Sequence, residues 1–121
     1  MTRSDLHDRA AFMAFVAGLP AVTLSQQWDA QVAKVGGKVF CLLGDRTEDG
    51  AGPIVLKVNE IAFDGLVEIE GIEQAAYFAK RQWVRIAPGA LEQNLLEGYI
   101  RQSHGLVAAK LTRKMRAELG L

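Results

Sequence analysis

Between residues 76 and 86 the chain reads AYFAKRQWVRI, so that Tyr77, Phe78 and Trp83 lie among Lys80, Arg81 and Arg85. Cations hold phosphates and an indole stacks on a base, each base–aromatic contact contributing about 1–3 kcal/mol in single-strand binders. The same residue types also describe a half-buried strand with solvated charges around it. Which reading holds depends on where Trp83 points.

Other chemistries are less well supplied. Gly36-Gly37-Lys38 looks like the end of a phosphate loop, but Gln31 or Val32 stands where the first glycine is needed, Val39 replaces the final hydroxyl residue, and a strand follows. Ser103-His104 pairs a hydroxyl with an imidazole, yet helix neighbours point about 100° apart, so a helix-end or polar surface role is expected. Cys41 sits in an apolar run with no cation beside it in sequence to lower its pKa, which predicts a buried structural thiol. His7, His104 and Cys41 have no metal-ligand spacing, and Asp45, Glu48 and Asp49 lack a calcium loop's periodicity. No metal, cofactor or catalytic group is expected, and the chain does not read as an enzyme.

The elements that must position the aromatic and basic residues follow from hydrophobic spacing. Leu6, Ala10, Phe12, Met13, Val16 and Ala17 predict a first helix, with Ser4 as its cap and Gly18 and Pro20 as its end. Apolar runs at 32–35 and 38–43 flank Gly36-Gly37, which predicts an antiparallel hairpin, because both central residues of a tight turn need positive φ. An exposed connection from Gly44 to Pro53 leads to a third strand at 54–58, and residues 60–70 fit a short helix and a strand about equally well, a helical turn or short helix being favoured. Trp83 to Ile86 is a further strand. Leu91, Leu95, Leu96, Tyr99 and Ile100 mark a helix, and Leu106, Val107, Leu111 and Met115 a second segment beyond Gly105. The expected class is α+β: an antiparallel meander with N- and C-terminal helices on one face, in a single domain spanning 1–121.

Strand alternation then assigns faces. With Val84, Ile86, Ile54, Leu56 and Val58 turned to the helices, Trp83, Arg85, Val55 and Lys57 face away. Lys110, Arg113, Lys114 and Arg116 form a second cationic stripe at helical spacing.

The net charge of zero and pI near 6.7 weigh against a strongly basic nucleic-acid binder, but the charge is uneven. From residue 80 on there are eight cations and three carboxylates; from 41 to 79 there are two cations and eight carboxylates. The lone cysteine agrees with a reducing compartment, and no apolar run approaches the roughly 20 residues of a membrane span. A cytoplasmic protein without membrane contact is expected.

Leu19-Pro20, Val35-Gly36-Gly37-Lys38-Val39-Phe40, Lys57, Ala76-Tyr77, Lys80, Trp83-Val84, Ser103, Leu106-Val107 and Lys110-Leu111, in this order and spacing, resemble the MmcQ/YjbR family over nearly the full chain. The resemblance implies a CyaY-like (frataxin-like) two-layer α+β fold and carries that family's description as DNA-binding. His104 departs from it, since an aromatic residue often follows the serine, and a proline expected near Gln74-Ala75 is missing. Frataxin-like proteins also bind iron through acidic residues on the first helix, but here only Asp5 and Asp8 are present, so iron binding is not expected.

The resulting expectation is a non-enzymatic domain that binds DNA or another nucleic acid. Lys38, Lys57, Lys80, Arg81 and Arg85 would contact phosphates, Trp83 would stack or pack, and Lys110, Arg113 and Lys114 would extend the basic surface. The alternative is a protein-interaction or self-association module anchored on the same Trp83 face.

Overall fold

Asp8 starts the first helix, its carboxylate accepting from the Ala10 and Ala11 amides at 3.1 and 3.3 Å. Those amides have no intrahelical partner, so the cap satisfies them. Helix α1 then runs Arg9–Ala17 and buries Phe12 and Val16. The computed structural model describes residues 5–27, 29–44 and 51–121. Ser4, the expected cap, lies outside them, as do Asp45, Glu48 and Asp49 of the charged connection. Leu6, expected on the helix, is buried in the segment before it.

Six strands follow: β1 (Val22–Gln27), β2 (Ala30–Val35), β3 (Lys38–Leu43), β4 (Ile54–Lys57), β5 (Ile72–Gln74) and β6 (Trp83–Ile86). They form one sheet in the order β1-β2-β3-β4-β6-β5, with every neighbouring pair antiparallel. The expected meander therefore holds only as far as β4. Helix α2 (Glu60–Leu66) carries the chain past the position of β6 to the outer edge, and β6 returns between β4 and β5. Strands β1 and β5 were not among the expected elements.

The β2–β3 turn is the glycine pair. Gly36 and Gly37 have φ of 59° and 78°, the left-handed region that side chains with a Cβ adopt only at a cost. Beyond the turn the register shifts: Lys34 pairs with Val39 and Ala33 with Cys41, which leaves Phe40 as an extra residue on β3. This is a β-bulge, and it lets Phe40 and Cys41 both be fully buried although they are neighbours in a strand.

Helix α3 (Gln93–Ala108) passes straight through Gly105, where a break was expected. A glycine costs a helix about 1 kcal/mol relative to alanine. Burial of Ile100, Ser103, His104 and Val107 along the same helix outweighs it. The break comes after Ala109, and α4 (Arg113–Leu119) then buries no residue. Phe12 and Val16 of α1, Phe63 and Leu66 of α2, and Leu96, Ile100 and Val107 of α3 share one core with the inward strand residues Val35, Leu56, Val84 and Ile86. The other face of the sheet carries Trp83 and Arg85, and Val32 and Val55 on it are buried.

Candidate nucleic-acid interface

Alternation along β6 is as expected: Val84 and Ile86 are fully buried, while Trp83 and Arg85 are half-buried. Cross-strand pairing sets their neighbours on the same face. Trp83 stands opposite Lys57, and Arg85 stands between Val55 on one side and Glu73 on the other. Val55, expected on the outer face, belongs to a row with Leu42 and Val32. That row is more apolar than expected, and Val55 keeps only 8% of its surface exposed.

The indole is not free on both sides. Phe78 lies against it with ring centroids 4.6 Å apart and planes tilted by 37°. Such a pair restricts the motion of both rings. Phe78 is held in place by Gln74, a residue the sequence did not single out. Its amide donates to the carbonyls of Ala75 and Phe78 at 2.9 and 3.3 Å, and its oxygen accepts from the Arg81 amide at 2.9 Å. The loop so organised keeps two residues with side chains, Tyr77 and Arg81, at φ of 70° and 63°. Holding residues there costs on the order of 1–3 kcal/mol each, and Gln74 supplies the hydrogen bonds that keep the loop in this form.

The basic residues separate into three groups. Arg81 bridges two carboxylates of α2, with its guanidinium nitrogens 2.6 Å from Glu60 and 2.9 Å from Asp64. Asp64 and then Glu60 push its pKa up, and its charge is largely offset where it stands. Arg85 has a looser partner in Glu73, at 3.7 Å between exposed groups, an ion pair of little energetic weight. Lys80 is exposed and forms no ion pair among the described residues. Arg113 and Lys114 open α4, a helix with no buried residue.

The third group is linked through its charges. Lys38 opens β3, Lys57 ends β4 and Lys110 follows α3, yet the charges of Lys110 and Lys38 both act on Lys57. Partial burial and then these neighbouring ammonium groups push the Lys57 pKa below its ordinary value of 10.5.

Ser103 braces the backbone at Lys57, and here the expectation of a helix-end or polar surface role is overturned. Ser103 and His104 are both buried. The serine hydroxyl donates to the carbonyl of Phe40 and accepts from the amide of Lys57 at 2.9 Å. The bulge has taken Phe40 out of register, and the hydroxyl stands between the two backbone groups in place of a ladder rung. His104 packs edge-on against Phe40 with centroids 5.2 Å apart, and its Nε2 lies 2.8 Å from the carbonyl of Pro20. It thus fills the aromatic position while making a polar contact that phenylalanine lacks. Cys41 is fully buried, and burial pushes its thiol pKa up, which keeps it protonated.

No helix among the described residues is long and apolar enough to cross a membrane. The model of the family described as YjbR matches residues 17–106. A crystal structure of a Deinococcus radiodurans protein with a DUF419 domain superposes with a TM-score of 0.83 at 26% identity, covering 96% of this chain and 90% of that one. A Pseudomonas syringae protein superposes with a TM-score of 0.68 at 20% identity, covering 82% of this chain and 97% of the other, and shares the fold. No curated protein matches.

Proposed function

Since the chain belongs to the YjbR family, we propose that it is a non-enzymatic domain that binds DNA or another nucleic acid through the Trp83 face of its sheet. One juxtaposition carries the reading: a half-buried tryptophan stands cross-strand from Lys57, on which the charges of Lys110 and Lys38 act. An aromatic surface next to several cations suits a single strand, where a base stacks and the neighbouring phosphates are held electrostatically. Within the basic set, Lys57, Lys38 and Lys110 contribute most, Arg85 less, and Arg81 least because Glu60 and Asp64 already offset it.

Trp83→Ala is expected to weaken binding of a single-stranded oligonucleotide by about tenfold, the loss of one stacking contact, whereas Arg81→Ala changes it by less than about twofold. Fluorescence anisotropy of a labelled oligonucleotide, with circular dichroism to check that both variants fold, reads the difference. Equal binding by wild type and Trp83→Ala would remove the basis of the proposal.

A second reading, a protein-interaction or self-association module using the same Trp83 face, is favoured by Tyr77, which is fully exposed in the loop that also holds Phe78. Light scattering that shows mass rising with concentration, and Tyr77→Ser abolishing the rise, would favour this reading.

A further inference from the structure

We propose that the groove between α2 and α3 receives helix α4 of a second copy of this chain. The contact uses a different surface from Trp83 and goes beyond the function proposed above.

Two surfaces of the chain lack a cover, and the first is concave. Ile61, Ala62, Leu66 and Ile69, on α2 and the turn after it, line an open groove of about 460 Å³ together with Tyr99 of α3. Leu95, one turn before Tyr99 on the same side of α3, is exposed and lengthens the apolar strip. Ile61 keeps 88% of its surface in water, and a Cβ at Gly65, in the groove lining, would meet nothing within 4 Å. Single exposed apolar residues are ordinary, but a contiguous strip of them in a concave surface marks a place where another molecule docks.

The second surface is convex. Helix α4 has seven residues and buries none of them, and Met115 and Leu119 are exposed one turn apart on the same side. Isolated helices shorter than about 12–15 residues are marginal in water. Caps at Thr112 and Gly120 hold the ends of α4, but no apolar burial holds its side. Leu111 is buried and packs so closely on Gly36 that a Cβ there would lie 2.7 Å from its methyl carbons, which ties the end of α3 and the start of α4 to the β2–β3 turn. Met115 and Leu119 are thus uncovered in their own chain, and the groove of a second copy covers them.

Charge selects this pairing. Lys114 and Arg116 flank Met115, about 100° away in either direction around the helix, and form no ion pair among the described residues. Glu68 and Glu70 flank Ile69 at the groove, are exposed and are likewise unpaired among the described residues. From Asn59 to Glu73 there is no lysine or arginine. A basic amphipathic helix therefore attracts an acid-rimmed apolar groove, whereas helix against helix and groove against groove repel.

Sedimentation equilibrium of the full chain, from micromolar to millimolar concentration, tests the contact with two variants that keep the core intact. Gly65→Lys puts a long cationic side chain into the groove at a helix position where lysine is a better helix former than glycine. Met115→Glu/Leu119→Glu changes only a helix that buries nothing. The expected result is a wild-type mass that rises above 13.2 kDa with concentration. Each variant should associate about tenfold more weakly or worse at an undiminished melting temperature, as loss of an interface anchor does. An equimolar mixture of the two should associate more tightly than either alone, because the Gly65→Lys copy offers an intact α4 to the intact groove of the other. A wild-type mass fixed at 13.2 kDa, variants that associate as wild type does, or a mixture no tighter than its components would overturn the contact. Association kept by Gly65→Lys but lost in Tyr77→Ser overturns it too, and assigns self-association to the Trp83 face.

Discussion

Ser103→Ala is expected to lower folding stability by about 2–4 kcal/mol, a large fraction of the roughly 5–15 kcal/mol that holds a domain of this size together. The substitution removes one oxygen atom and opens almost no cavity, so the loss comes from hydrogen bonding. The hydroxyl serves two buried backbone groups, the carbonyl of Phe40 and the amide of Lys57, and each group left without a partner costs about 1–3 kcal/mol. Urea unfolding checks it: the midpoint should fall with the slope unchanged, because the surface exposed on unfolding stays the same. A cost below about 1 kcal/mol would mean that the Phe40 carbonyl and the Lys57 amide close on each other directly and that the serine is dispensable.

The second large effect lies in the glycine pair. Gly36→Ala and Gly37→Ala put the same methyl group at residues with φ of 59° and 78°, and each pays about 1 kcal/mol for a left-handed backbone. At Gly37 the methyl meets nothing within 4 Å, whereas at Gly36 it lies 2.7 Å from both methyl carbons of Leu111. Relieving that overlap moves a buried leucine, and overpacking of this kind costs about 1–3 kcal/mol more. Gly36→Ala should therefore cost about 2–4 kcal/mol and Gly37→Ala about 1 kcal/mol, read from paired denaturation curves. Equal costs would show that Leu111 yields freely and that the end of α3 is not tied to the turn.

These two residues mark where the sequence was informative and where it was not. The turn was legible because two adjacent glycines between apolar runs have few other uses, and the phase of β6 was legible because Trp83 to Ile86 alternates cleanly. Strand β1 was not: among Val22–Gln27 no residue is fully buried, so an edge strand leaves little hydrophobic signal. Strand β5 has only three residues, and its place outside β6 depends on long-range pairing that no local pattern encodes. Ser103 looked like a surface residue because the need it meets is created elsewhere, by a bulge at Phe40 sixty-three positions away.

The candidate site divides in the same way. Trp83, Arg85 and Lys57 could be placed on one face from period-two alternation alone. Alternation could not tell that Arg81 is occupied by Glu60 and Asp64, because those carboxylates come from a helix packed beside the loop. Nor could it tell that the charge of Lys110, which follows a helix, acts on Lys57, which ends a strand. Sequence proximity in the run at 76–86 overstated Arg81 and understated Lys110. Tertiary contacts, rather than composition, decide which cations are free to meet an anion.

The central claim, a nucleic-acid interface at Trp83, is tested most directly by titrating labelled single-stranded DNA with the Trp28→Phe protein, so that emission reports Trp83, at low and physiological salt. The account predicts saturable binding with a shift in Trp83 emission. With about three phosphate contacts, the slope of log K against log salt should be roughly −2. Absence of binding at low salt, where every cation on this surface acts at its strongest, or binding that leaves Trp83 emission unchanged, would contradict it.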